Sequence, residues 1–159
     1  MLAAVLLCSA VMVSAADFHL IDLSRPEHKA VLLDPSTIAS AKDGHKSARL
    51  AEVGIGGSWS DYKVECDCAG NRFKKLTDVY HSDTAKPLDR SSNPLFTGSW
   101  IAGKKGVLSS AIIETVCGWP KAKTKEKAVP GADFEAAIKR ASDILSKWWF
   151  EDEAADMKD

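Results

Sequence analysis

Cys66 and Cys68 stand two positions apart in Glu65-Cys66-Asp67-Cys68, and Cys8 and Cys117 complete the cysteines of the chain. Thiols at such spacing have two chemical uses: a dithiol that cycles with its disulfide, or half of a metal site. Redox motifs more often place two residues between their cysteines, and zinc asks for four ligands, which no paired Cys or His spacing elsewhere supplies. The histidines are His19, His28, His45 and His81, and none stands in an HExxH or other tight ligand spacing. His28 and His45 fall in predicted turns, where solvation is expected. His19 and His81 fall on predicted strands and could meet in space.

Hydrolytic and phosphoryl chemistry find no footing either. Gly57-Ser58-Trp59-Ser60 lacks the second glycine of a nucleophile elbow. Gly103-Lys104-Lys105-Gly106 is basic but lacks the spacing of a phosphate-binding loop, and reads as an exposed turn before a helix. Together with Lys121, Lys123, Lys125 and Lys127 it can form a basic patch facing an anionic polymer, lipid headgroups or the acidic tail of the chain itself. Solvated lysines are the plainer reading. Trp148, Trp149 and Phe150 close the last predicted helix, and Trp149 and Phe150 lie off its apolar stripe. Clustered exposed aromatics mark partner or membrane-surface contacts, whereas aromatics that wrap a sheet edge do not. The residues put forward for partner contact are therefore Lys104, Lys105, Lys121, Lys123 and Trp149. No catalytic residue, cofactor or metal ligand is expected, so the chain reads as a non-enzyme.

The elements that position these residues begin after an uncharged segment. Residues 1–16 (MLAAVLLCSAVMVSAA) hold no ionisable carboxylate or amine side chain, and Asp17 is the first. The run is shorter than the roughly 20 apolar residues that span a bilayer. It matches the apolar region of a signal peptide, 1–15, with cleavage expected after Ala15 or Ala16, although Lys and Arg are missing from its start. A lipoprotein reading would centre on Cys8 and is set aside because Leu7, not a small residue, precedes it. No other stretch reads as a membrane span. Net charge is −1, so no global basic field for nucleic acid exists. Signal cleavage removes Cys8 and leaves Cys66, Cys68 and Cys117; an oxidising compartment favours one disulfide with one thiol left over. Cys66 and Cys68 point the same way on one strand and do not pair easily with each other. Either can therefore be the partner of Cys117.

Residues 18–23 (FHLIDL) and 29–33 (KAVLL) read as two strands joined by a Pro-containing turn. Asp34-Pro35-Ser36-Thr37 and Lys42-Asp43-Gly44 read as turns, and 48–55 as a third strand ended by Gly56-Gly57-Ser58. Residues 61–68 alternate cleanly: Tyr62, Val64, Cys66 and Cys68 on one face, Asp61, Lys63, Glu65 and Asp67 on the other. Ala69-Gly70-Asn71 turns the chain, the Gly-Asn pair supplying positive φ, and 72–81 returns as a fifth strand with mixed faces. Residues 82–98 read as a long loop and 107–116 as a short helix, with Gly118 near its cap and Pro120 as a stop; a sixth strand is the alternative. Residues 121–130 read as a basic linker and 131–150 as an amphipathic helix whose stripe is Phe134, Ile138, Ala141, Leu145 and Trp148. The acidic tail 151–159 reads as frayed. The expected fold is α+β: an antiparallel sheet of five or six strands packed with a short helix and a C-terminal amphipathic helix.

Over residues 18–117 the chain resembles the surface-adhesin protein E family of small exported bacterial proteins. The resemblance is carried by Asp34-Pro35-Ser36-Thr37-Ile38, by Asp67-Cys68-Ala69-Gly70-Asn71-Arg72-Phe73, by Tyr80 and Trp100, and by Ile113-Glu114-Thr115-Val116-Cys117-Gly118. It implies a β domain over 17–120, no catalytic site, and an internal disulfide between Cys68 and Cys117. It also implies an adhesin-like role toward a protein or anionic-polymer partner from the periplasm or cell surface. Cys66 is additional to the family pattern, as is the helix beyond 131. A structural envelope protein without a ligand, or a thiol-based redox or metal protein using Cys66 and Cys68, are the competing readings.

Overall fold

The structure, a computed structural model, describes residues 18–24, 27–82, 86–87, 98–121 and 134–156. Strands β1 (His19–Ser24), β2 (Lys29–Ser40), β3 (Lys46–Gly54), β4 (Trp59–Asp67) and β5 (Arg72–Ser82) form an antiparallel meander in chain order. Two-residue strands β6 (Lys86–Pro87) and β7 (Ile101–Ala102) pair with opposite ends of β5. Helix α1 (Leu108–Gly118) and helix α2 (Phe134–Asp156) complete an α+β fold, the class expected from the sequence.

Each helix covers one face of the sheet. Val31, Leu33, Leu50, Tyr62, Val64, Cys66 and Phe73 meet Leu108, Ile112, Ile113 and Val116 of α1. Phe18, Leu20, Ala30, Leu32, Ala51, Val53 and Trp59 meet Ala137, Ile138, Ala141 and Leu145 of α2. The run Ala30-Val31-Leu32-Leu33 is apolar without alternation because β2 is buried on both faces. β4 alternates because α2 packs on β2 and β3, leaving the outer side of β4 uncovered by that helix. The segment read as 107–116 is helical from Leu108 to Gly118 and is not a sixth strand, and the stripe read for α2 is its buried face.

Three details differ from the sequence reading, and the pairing explains a fourth. Asp34-Pro35-Ser36-Thr37 does not end β2; it makes an irregularity inside one long strand. Asp34 Oδ1 accepts from Ser36 N at 3.1 Å and Ser36 Oγ at 2.5 Å, while Thr37 Oγ1 accepts from Arg49 N at 2.8 Å. The hydroxyl thus stands in for a ladder carbonyl, and the strand resumes beyond the proline. At the β4–β5 turn only Asn71 has a positive φ, 48°. Gly70 is required for space instead, since a Cβ there would collide with the Asp67 carboxylate. The mixed faces of β5 arise because Lys63 pairs with Thr77 and Val64 with Lys75, so Leu76 is an extra residue that inverts the alternation. Finally, α2 continues through the acidic segment to Asp156.

Candidate functional site

The cysteines resolve first. Cys68 and Cys117 form a disulfide, with Cα atoms 5.7 Å apart, tying the β4–β5 turn to the end of α1. Cys66 is a free thiol, fully buried under α1. Burial, and secondarily the negative field of Glu65, pushes the thiol up to about 12. At neutral pH its thiolate fraction is roughly one in 10⁵, too little for a nucleophile. Among the described residues no group of three or more His, Cys, Asp or Glu side chains is arranged to hold a metal ion.

The histidines are not brought together. His19 lies on β1 and β5 carries His81, with three strands between them. His19 packs edge-on against Trp119, ring centroids 5.1 Å apart. His28 meets Trp149 at 4.2 Å. His45, read from sequence as solvated, is partly buried instead: its Nδ1 lies 2.7 Å from Glu65 Oε1 and its Nε2 3.9 Å from Asp67 Oδ1. Glu65 also meets Lys74 at 3.1 Å, and Asp67 accepts from Gly70 N at 2.8 Å and from Arg72 Nε at 2.9 Å. Trp100 roofs this network, with the Arg72 and Lys74 cations 4.7 and 4.6 Å from its ring centroid. Every polar member has a partner, so the cluster staples the sheet surface. Sequence alone gave no sign of it, because His45, Glu65, Arg72 and Trp100 converge from four separate segments.

The residues proposed for partner contact divide between two faces. Lys104 and Lys105 are exposed in the turn before α1, and Lys121 is exposed just after it. These positions bracket an 11-residue helix, roughly 16 Å long at 1.5 Å per residue. Lys123 lies outside the described residues. Trp149 is on α2, half-buried beside His28, on the far side of the sheet. Phe150, at 67% exposure, is the most open large apolar side chain among those described. Lysines and aromatic end therefore do not form a single surface.

One concavity on the α1 side of the sheet was not singled out by the sequence. The α1-side face of the sheet continues past the start of α1 as Lys29, Glu52, Ser60, Tyr62, Lys75, Asp78 and Tyr80. With Phe73, Ile101, Leu108 and Ile112 opposite, they enclose a cavity of about 650 Å³, within the range of small-molecule sites. Lys29 Nζ meets Glu52 at 2.5 Å; Lys75 Nζ lies 3.2 Å from Asp78 and 4.0 Å from Glu52. Burial, the largest single influence, pulls the Lys29 ammonium down, but the bond to Glu52 together with the charges of Glu52, Glu27 and Asp78 leaves it above its ordinary value of 10.5. The Lys75 ammonium also sits 4.0 Å from the Tyr62 ring centroid. Tyr62 is wholly buried and its hydroxyl has no hydrogen-bond partner among the described residues. Burial first, then the carboxylates of Glu52 and Asp78, raises this phenol well above its ordinary value of 10.0, so it is a protonated donor at neutral pH.

No known protein family, no curated protein and no solved structure matches this chain. No helix among the described residues is long and apolar enough to cross a membrane.

Proposed function

We propose that the chain is an exported envelope protein that binds a macromolecular partner and turns nothing over, in the manner of the surface adhesins it resembles. The observation that carries this reading is the fate of its cysteines. Cys68 and Cys117 are spent in a structural bond suited to an oxidising compartment, and Cys66 is buried with its thiol held protonated. That arrangement weakens the redox alternative, and the disulfide is compatible with a location outside the cytoplasm. The surface assigned to the partner is the one bracketing α1, with Lys104, Lys105 and Lys121 steering an acidic protein or anionic polymer. Trp149 sits on the opposite face, beside His28, and is not part of this surface.

The test is a titration of the chain lacking residues 1–16 against envelope polymers and matrix proteins, at low and physiological salt. Binding should be saturable, weaken with salt, weaken in Lys104→Ala/Lys105→Ala and be indifferent to Trp149→Ala. No saturable binding to any of them would leave the structural-protein reading in its place.

A further inference from the structure

The cavity beside α1 has one apolar wall, made by Phe73, Ile101, Leu108 and Ile112, and one polar wall, made by the sheet. Among the described residues the charges of its lining cancel. The carboxylates of Glu27, Glu52 and Asp78 stand against the ammonium groups of Lys29, Lys75 and Lys104. On the sheet these opposite charges also interleave. Lys29 Nζ lies 2.5 Å from Glu52, and Lys75 Nζ lies 3.2 Å from Asp78 and 4.0 Å from Glu52. The wall therefore has no separate positive or negative pole. An anion, a cation or a zwitterion with separated charges would lose its hydration there without meeting a matching field.

Hydrogen-bonding capacity is nevertheless left over. An ammonium has three donors and a carboxylate several acceptor sites, and these ion pairs occupy only part of them. A wholly apolar ligand would cover such groups and return no bonds. A neutral group that both donates and accepts, a hydroxyl, suits them, and its bonds to ionised partners are the stronger kind. The array is also fixed before any ligand arrives, since the Lys75 ammonium is held 4.0 Å from the Tyr62 ring centroid as well. Tyr80 lines the same cavity at 39% exposure, an open aromatic ring on which the C–H face of a sugar can lie. We propose that the cavity binds a neutral saccharide ring. Its hydroxyls bond to Lys29, Glu52, Lys75 and Asp78, and its C–H face rests on Tyr80 and Ile101. The site goes beyond the macromolecular surface and does not depend on it.

The experiment is an NMR chemical-shift titration of the disulfide-bonded chain. The probes are the methyl glycosides of glucose, galactose, mannose and N-acetylglucosamine, with glucuronate, glucosamine and cyclohexanol as comparators. At least one glycoside should bind saturably with a Kd below about 10 mM, shifting the amides of Lys75, Asp78 and Tyr80. Glucuronate, glucosamine and cyclohexanol should each bind roughly tenfold more weakly than that glycoside. Tyr80→Ala should weaken the glycoside roughly tenfold and barely move the melting temperature, because the ring is open to solvent. Asp78→Asn should weaken the glycoside and turn the preference toward glucuronate, because it leaves an ammonium unanswered; a merely structural role for Asp78 would not reverse the order. Absence of saturable binding by every glycoside overturns the proposal, as does glucuronate or glucosamine binding the unmodified chain as tightly as the best of them. Glycoside affinity unchanged in both variants places the binding elsewhere and overturns it too. Failure of these arms with salt-sensitive polymer binding intact removes the cavity site alone; the converse result removes only the surface reading.

Discussion

Asn71 and Gly103, 32 residues apart, exchange two hydrogen bonds: Gly103 N donates to the Asn71 carbonyl at 2.8 Å, and Asn71 Nδ2 donates to the Gly103 carbonyl at 3.2 Å. The same turn carries Cys68, bonded to Cys117. One tight turn therefore fastens both the approach to α1 and its last turn. Removing the bridge by Cys68→Ser/Cys117→Ser frees a loop with a sequence separation of 49, for which chain-entropy arguments give about 4 kcal/mol. Asn71→Gly keeps the φ of 48° accessible and removes only the side-chain bond, so about 1 kcal/mol is expected. Urea unfolding of the three proteins checks the order; equal stability of the bridged and unbridged forms would refute it.

Chemical accessibility separates the cysteines. Cys66 is fully buried beneath α1 with its thiol at about 12, so iodoacetamide at pH 8 should label it only as fast as the protein opens. Mapping of non-reduced peptides should return Cys68 joined to Cys117 and Cys66 alkylated only after denaturation. Rapid labelling of Cys66 in the native protein would revive the redox reading.

The elements most legible in the sequence were those with one buried face. The alternation through Tyr62, Val64 and Cys66 and the stripe through Ile138, Ala141 and Leu145 each mark contact with a single apolar layer. What escaped was contextual. Asp34-Pro35-Ser36-Thr37 has turn chemistry, yet the Thr37 hydroxyl bonds across to Arg49 and keeps the segment in the sheet. Leu76 inverts its strand only because β4 sets the register. The cavity could not be read at all, since Lys29, Glu52, Tyr62 and Lys75 come from four strands and meet only through pairing.

Docking of α2 is the next test of the two-faced core. Phe134 lies 4.8 Å from Phe18 and 5.0 Å from Trp59, centroid to centroid, with the Arg49 guanidinium 4.4 Å from its own ring. Ile138 is 7% exposed beside these residues. Ile138→Asp should cost about 3 kcal/mol or more, because it either buries an unpaired charge or undocks the helix. Ile138→Val should cost about 1 kcal/mol. If truncation after Lys127 leaves the melting temperature unchanged, α2 is an appendage and its apolar face serves a partner.

Acid should unfold the protein partly through the cluster under Trp100. Glu65 is held below its ordinary value of 4.5, first by the bond with His45 and then by that with Lys74. Asp67 is held below its ordinary 3.8, first by the Gly70 amide and then by Arg72. Both carboxyls have lower values folded than unfolded, so the unfolded chain takes up protons first as pH falls. The stabilisation is complete above the unfolded values and is lost as the pH drops from about 4.5 through the depressed folded ones. Glu65→Gln and Asp67→Asn should each make the stability curve shallower below that pH and lower the plateau near pH 7. Gly70→Ala should do the same to the Asp67 component, because its Cβ occupies the space of that carboxylate. Denaturant midpoints measured from pH 2 to 7 provide the check. Parallel curves for the wild type and Asp67→Asn would mean that the Asp67 contacts do not persist in solution.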